Sequence, residues 1–123
     1  MIETTHGRAY SAFLAANQIR NMVTGIDALH VFQLKNKLKE AVEFLSEEEM
    51  RLVQESGGTV TDGGMVIIPD AGKKAEYLKS RKELDEMLCE IDMEPITIMI
   101  DRCPDVTVEQ IEMLNNFVIF REE

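Results

Sequence analysis

The sequence predicts a mainly helical α+β fold built on a long antiparallel helical hairpin, and three observations carry that reading. Apolar residues recur at helical spacing through two long segments. A Gly-bearing stretch with β-rich flanks separates the two segments. Along both segments the charges run in the same order, basic first and acidic after. At 123 residues the chain is expected to form one domain, 1–123, that needs no disulfide or metal staple.

A first helix fits residues 8 to 23, where Ala9, Phe13, Ala16, Ile19 and Val23 give the stripe and Gly25 stands at the C-cap position. Thr24, with Asp27 three residues on, is placed to start the next helix. That second helix runs from 27 to 55 on Val31, Leu34, Leu38, Val42, Leu45, Leu52 and Val53, with Ala41 beside them. Ser46-Glu47-Glu48-Glu49 offers a fresh capping box. A continuous helix is preferred, because the apolar phase carries through from Leu45 to Leu52 and no Gly or Pro intervenes.

Gly57-Gly58 ends it, and Thr59 to Ile68 reads as a β-hairpin turning at Asp62-Gly63-Gly64, a tip expected to add little to the main core. These glycines do not make a phosphate loop, since no Lys follows them. Pro69-Asp70 launches a third helix over 71 to 91, with Tyr77, Leu78, Leu84, Met87, Leu88 and Ile91 as its apolar side. A strand-helix-strand unit closes the chain. Pro95 to Ile100 is β-rich, Thr107-Val108-Glu109-Gln110 is a capping box, Phe117 to Phe120 is a short strand, and 121 to 123 is a frayed end.

The hairpin's orientation follows from charge. Lys35, Lys37 and Lys39 precede Glu40, Glu43, Glu47, Glu48, Glu49 and Glu55. Lys73, Lys74, Lys79, Arg81 and Lys82 precede Glu83, Asp85, Glu86, Glu90, Asp92 and Glu94. Folded antiparallel, each basic start lies beside an acidic end, with 35 to 39 near 84 to 94 and 47 to 55 near 72 to 82. Each exposed pair is worth only a few tenths of a kcal/mol, so the charges set register while the aliphatic stripe supplies stability. At 1.5 Å per residue the second helix is roughly 40 Å long, and part of it is expected to project.

Composition limits function. A net charge of −10 opposes direct contact with nucleic acid or anionic lipid, whose binding depends on Lys and Arg. No apolar run approaches a membrane span and the N-terminus lacks a signal-peptide pattern, so a cytoplasmic place is expected. Eight Met, 6% aromatics and no Trp predict an aliphatic, Met-rich core. Cys89 and Cys103 read as two reduced thiols, Cys89 packed on the third helix and Cys103 the more exposed in a loop. His6 and His30 belong to no metal-ligand motif, and His30 is placed on a partly buried flank.

The order of segments also resembles a family. Arg8-Ala9-Tyr10-Ser11-Ala12-Phe13, then Leu34-Lys35-Asn36-Lys37-Leu38-Lys39-Glu40, the Gly-bearing hairpin, Glu83-Leu84-Asp85-Glu86-Met87-Leu88, and the tail from Pro95 through Leu114 to Phe117 resemble small bacteriophage and prophage proteins of unknown function. The resemblance implies a phage or prophage origin and brings no activity with it.

With no catalytic, cofactor or metal constellation in view, the expected function is a non-enzymatic protein-interaction module, a phage or prophage accessory or assembly factor, open to homo-oligomerisation through an apolar stripe. Its partner surface is expected in the acids Glu40, Glu43, Glu47, Glu48, Glu49, Asp85 and Glu86. Two alternatives stand beside it. One is an acidic inhibitor of a host nucleic-acid-binding or defence protein. The other is a small enzyme with a dispersed site, such as His6, Asp101 and Asp105.

Overall fold

A helix of 31 residues, α2 (Gly25–Glu55), is the spine on which everything else is laid. It is continuous through Ser46, as the apolar phase required, and at 1.5 Å per residue it is about 46 Å long. The computed structural model describes residues 1–122.

Two shorter helices lie along α2 one after the other, both antiparallel to it. The first, α1 (His6–Ile19), covers the N-terminal half of α2. The His6 ring sits 4.9 Å from that of Phe44, and Lys35 Nζ lies 5.8 Å over the Phe13 ring. The second, α3 (Ala71–Glu86), covers the C-terminal half, where Arg81 Nε meets Glu49 Oε2 at 2.7 Å and Tyr77 packs on Val53. The antiparallel hairpin of α2 and α3 therefore stands, with 47 to 55 beside 72 to 82. The opposite end is less charged than expected. Lys37 and Glu90 face one groove, but among the described residues no ion pair joins 35–39 to 84–94.

α1 begins two residues earlier than its stripe suggested and stops four residues sooner. Thr5 caps it by accepting from Arg8 N–H, and the turn after Ile19 runs through Met22 to Gly25, whose φ of +58° suits a residue without a Cβ. Ahead of the helix stands a strand the sequence did not announce, β1 (Ile2–Thr5). Its partner corrects a second expectation. The third helix ends at Glu86, and Leu88–Ile91 is strand β4, antiparallel to β1 with Ile2 opposite Ile91 and Thr4 opposite Cys89. Leu88 and Met87, expected on a buried helix side, are exposed, as is Leu78, while Ile91 stays buried.

Between the long helices β2 (Thr59–Val60) and β3 (Val66–Ile67) form the expected hairpin. Its tip is exposed, but Ile68 is buried against Val53 and Tyr77, with Val66 packed beside them. That segment belongs to the smaller core. After β4, strand β5 (Ile96–Met99), a 3₁₀ turn at Ile100–Arg102, helix α4 (Val108–Met113) and strand β6 (Val118–Arg121) complete the chain. β5 and β6 pair in parallel, Ile96 opposite Val118, as a strand-helix-strand unit requires. The capping box is made in full, Thr107 with Gln110. Arg121, expected to fray, closes β6, and Glu123 lies outside the described residues.

The main core joins Ala9, Ala12, Ala15, Ala16 and Ile19 of α1 to Val31, Leu34, Leu38 and Ala41 of α2, with Ile2, Ile91, Ile98, Leu114, Phe117 and Val118 around them. It is aliphatic but not Met-rich. Met22, Met93 and Met113 pack only at its edge, and Met50, Met65 and Met87 are exposed. Alanine on α1 lets the two helices approach closely, which leaves no irregular gap for methionine to fill. Cys103, expected to be the exposed thiol, is fully buried in this core, and Cys89 is half-buried. Burial pushes both thiols up, and the Asp105 and Asp27 carboxylates raise Cys103 further, so neither is primed to react.

Candidate functional site

Two places gather chemistry: the joint where α1 and α3 meet, and the solvent face of α2. At the joint the helices nearly touch end to end. A Cβ on Gly7 would lie 3.0 Å from Asp85 Cβ and 3.1 Å from its carbonyl oxygen, so glycine permits the approach. His6, buried, seals the contact. Its backbone N–H donates to the Met87 carbonyl at 2.9 Å, and its Nδ1, also 2.9 Å away, must donate to the same oxygen, because a carbonyl can only accept.

A groove of about 260 Å³ opens beside this joint, lined by His6, Lys37, Glu40, Phe44, Cys89 and Glu90 among others. It does bring a histidine together with two carboxylates. It is smaller than the pockets that hold drug-sized ligands, roughly 300 to 1,000 Å³. The dispersed-site residues are not united. Asp101 and Asp105 are exposed on the connection between β5 and α4 and are not among the residues that line the His6 groove. His30 is half-buried with its Nδ1 enclosed and unpartnered. Among the described residues no group of three or more His, Cys, Asp or Glu is arranged to hold a metal ion.

The seven candidate acids divide by what neutralises them. Glu49 and Asp85 both pair with Arg81, and Tyr77 O–H donates weakly to Glu49 at 3.5 Å. Partial burial works against the Arg81 charge, but Glu49 and Asp85 outweigh it and hold the guanidinium above its ordinary pKa. Glu48 shares Arg51 with Glu55, each at 2.7 Å. Glu43 lies 3.8 Å from Lys39 Nζ, at the limit of an ion pair. Glu40, Glu47 and Glu86 are exposed and, among the described residues, have no basic partner within 4 Å. Glu40 and Glu47 share the outer side of α2, two turns apart.

The same helix carries a feature that tracking a single stripe missed. Ile26, Leu29 and Phe32 are 55%, 48% and 59% exposed. Three-residue steps place them within about 120° of arc, turned away from buried Asp27, Val31, Leu34 and Leu38. A second apolar series on α2, out of phase with the first, was the signal for it. No helix among the described residues is long and apolar enough to cross a membrane, so this exposure is not that of a spanning segment. Set beside known protein families, curated proteins and solved structures, the chain matches none of them.

Proposed function

We propose that the chain is a non-enzymatic protein-interaction module, a phage or prophage accessory or assembly factor acting in the bacterial cytoplasm. The observation that supports this reading is the solvent face of α2, left uncovered while carrying Ile26, Leu29 and Phe32 on its first turns. Apolar side chains scattered singly on a surface mean little, but a contiguous row costs solvation and is relieved when another surface covers it. Farther along the face, Glu40 and Glu47 add charge that the fold does not neutralise. Apolar contact would supply affinity and the acids would speed encounter with a basic partner.

A second reading, an acidic inhibitor of a host nucleic-acid-binding or defence protein, draws on those same unneutralised acids and on the net charge of −10. One experiment separates the two. The chain is immobilised, partners are captured from a lysate of the native host and identified by mass spectrometry, and association rates are measured against salt. An interaction module held by the apolar row loses its partner on Phe32→Asp, with little salt dependence. An acidic inhibitor loses association rate on Glu40→Lys with Glu47→Lys and binds more slowly as salt rises, since screening at about 0.15 M confines charge attraction to about 8 Å. A partner indifferent to both variants removes the α2 face from the function.

A further inference from the structure

We infer that the solvent face of α2 pairs with the same face of a second copy of this chain, antiparallel, about a two-fold axis at the level of residue 41. The inference deepens the interaction-module reading and rests on it. Its basis is a charge pattern on α2 that the contacts with α3 leave unused.

The residues that face outward along α2 include Leu29, Phe32, Asn36, Lys39, Glu43, Ser46 and Met50, all exposed. They follow each other at alternating steps of three and four, the spacing of a helix–helix seam. Turned antiparallel against itself about residue 41, this row sets Lys39 opposite Glu43 of the second copy, Asn36 opposite Ser46, and Phe32 opposite Met50. The two-fold repeats every pair, so two ion pairs sit inside two apolar contacts. The seam from Phe32 to Met50 is about 27 Å long.

Other registers fail. A parallel pairing sets Lys39 on Lys39 and Glu43 on Glu43. Sliding one copy by four residues, about one turn, sets Lys39 on Lys39 in one direction and Glu43 on Glu43 in the other, and a slide of seven residues brings Glu43 against Phe32 or leaves Phe32 without a facing residue. Inside one chain these charges have little to do. Lys39 and Glu43 approach only to 3.8 Å, and the α2–α3 ion pair uses Glu49 instead. Exposed pairs are individually weak, so the association is reversible and in the micromolar range, with the charges fixing register and the Phe32–Met50 contacts supplying most of the attraction.

Sedimentation velocity of the whole chain over a range of concentrations and salt tests this. The expected result is a mass that rises from 14.0 kDa toward twice that value with concentration, and shifts only slightly as salt is added, because the Phe32–Met50 contacts supply most of the attraction. Phe32→Asp and Lys39→Glu are each expected to give monomer, and the double variant Lys39→Glu with Glu43→Lys to restore the dimer. Circular dichroism of each variant checks that the helices remain, and all three positions are exposed, so folding is not at stake. A wild type that stays at 14.0 kDa throughout overturns self-pairing, and the capture experiment then decides the module reading separately. A dimer that survives Phe32→Asp overturns this face, and a double variant that remains monomeric overturns the register.

Discussion

The two halves of α2 use one helical phase to build two different kinds of contact. In the body of the molecule, Val31, Leu34, Leu38 and Ala41 meet a surface of alanines on α1, and the cluster is closed by residues from the β1–β4 and β5–β6 pairs and from α4. In the arm, formed by the second half of α2 with α3 and the β2–β3 hairpin, the cluster shrinks to Val53, Ile68 and Tyr77, with Leu52 and Val66 beside them. Only Tyr77 and Leu84 of α3 are buried. Polar ties take over there: Arg81 bridges Glu49 and Asp85, and Tyr77 reaches Glu49. The body is thus held by area removed from water and the arm by a thin apolar strip with a charged clasp. Local opening should start where apolar contact is scarce, which is the arm.

The comparison breaks if the arm is as costly to disturb as the body. Leu38→Ala, fully buried in the body, is expected to lose about 2 to 5 kcal/mol of unfolding free energy in urea denaturation. Val53→Ala, equally buried in the arm, removes two carbons and is expected to lose on the order of 1.5 kcal/mol. Equal losses would mean that the arm packs as densely as the body. Arg81→Met comes next in size. It leaves Glu49 and Asp85 without their shared partner, and after discounting for solvent screening about 1 kcal/mol is expected, shrinking as salt rises. Hydrogen exchange of that variant should quicken in α3 and leave α1 unchanged; protection lost equally in both helices would show that the clasp supports the whole fold.

Legibility in the sequence followed the range of the interactions. α2 was readable to within two residues of its start because its phase is local and unbroken, and the Thr107–Gln110 box because it spans four residues. The antiparallel hairpin was readable because its charges oppose only one way round. The end of α3 was not, since Met87-Leu88-Cys89 fits a helix until Ile2-Glu3-Thr4-Thr5 is known to stand beside it, and that pairing joins residues more than 80 positions apart. Cys103 was misplaced for a related reason. Pro104 marks a loop correctly, but the loop dives back into the core. The acids at the candidate site could be named from sequence, yet which of them Arg81 neutralises depends on the α2–α3 register.

The smallest expected effect tests whether the arm is closed at all. Burial raises the Tyr77 phenol above its ordinary value of 10.0, the Glu49 carboxylate raises it further, and Arg81 only partly offsets them. A folded-state pKa above the unfolded one means that the folded chain holds the phenolic proton more tightly. The associated stability is fully present below pH about 10 and is lost as pH climbs through the folded value. The chain has two tyrosines, so an alkaline titration followed by phenolate absorbance should show one late component that Tyr77→Phe removes. The same substitution forfeits only the long 3.5 Å contact to Glu49, so at neutral pH it should cost well under about 1 kcal/mol. At high pH the variant should fall less steeply in stability than the wild type. If the late component is missing from the wild type, Tyr77 is solvated, Val53 and Ile68 have lost their cover, and the arm stands open in solution while the body remains shut.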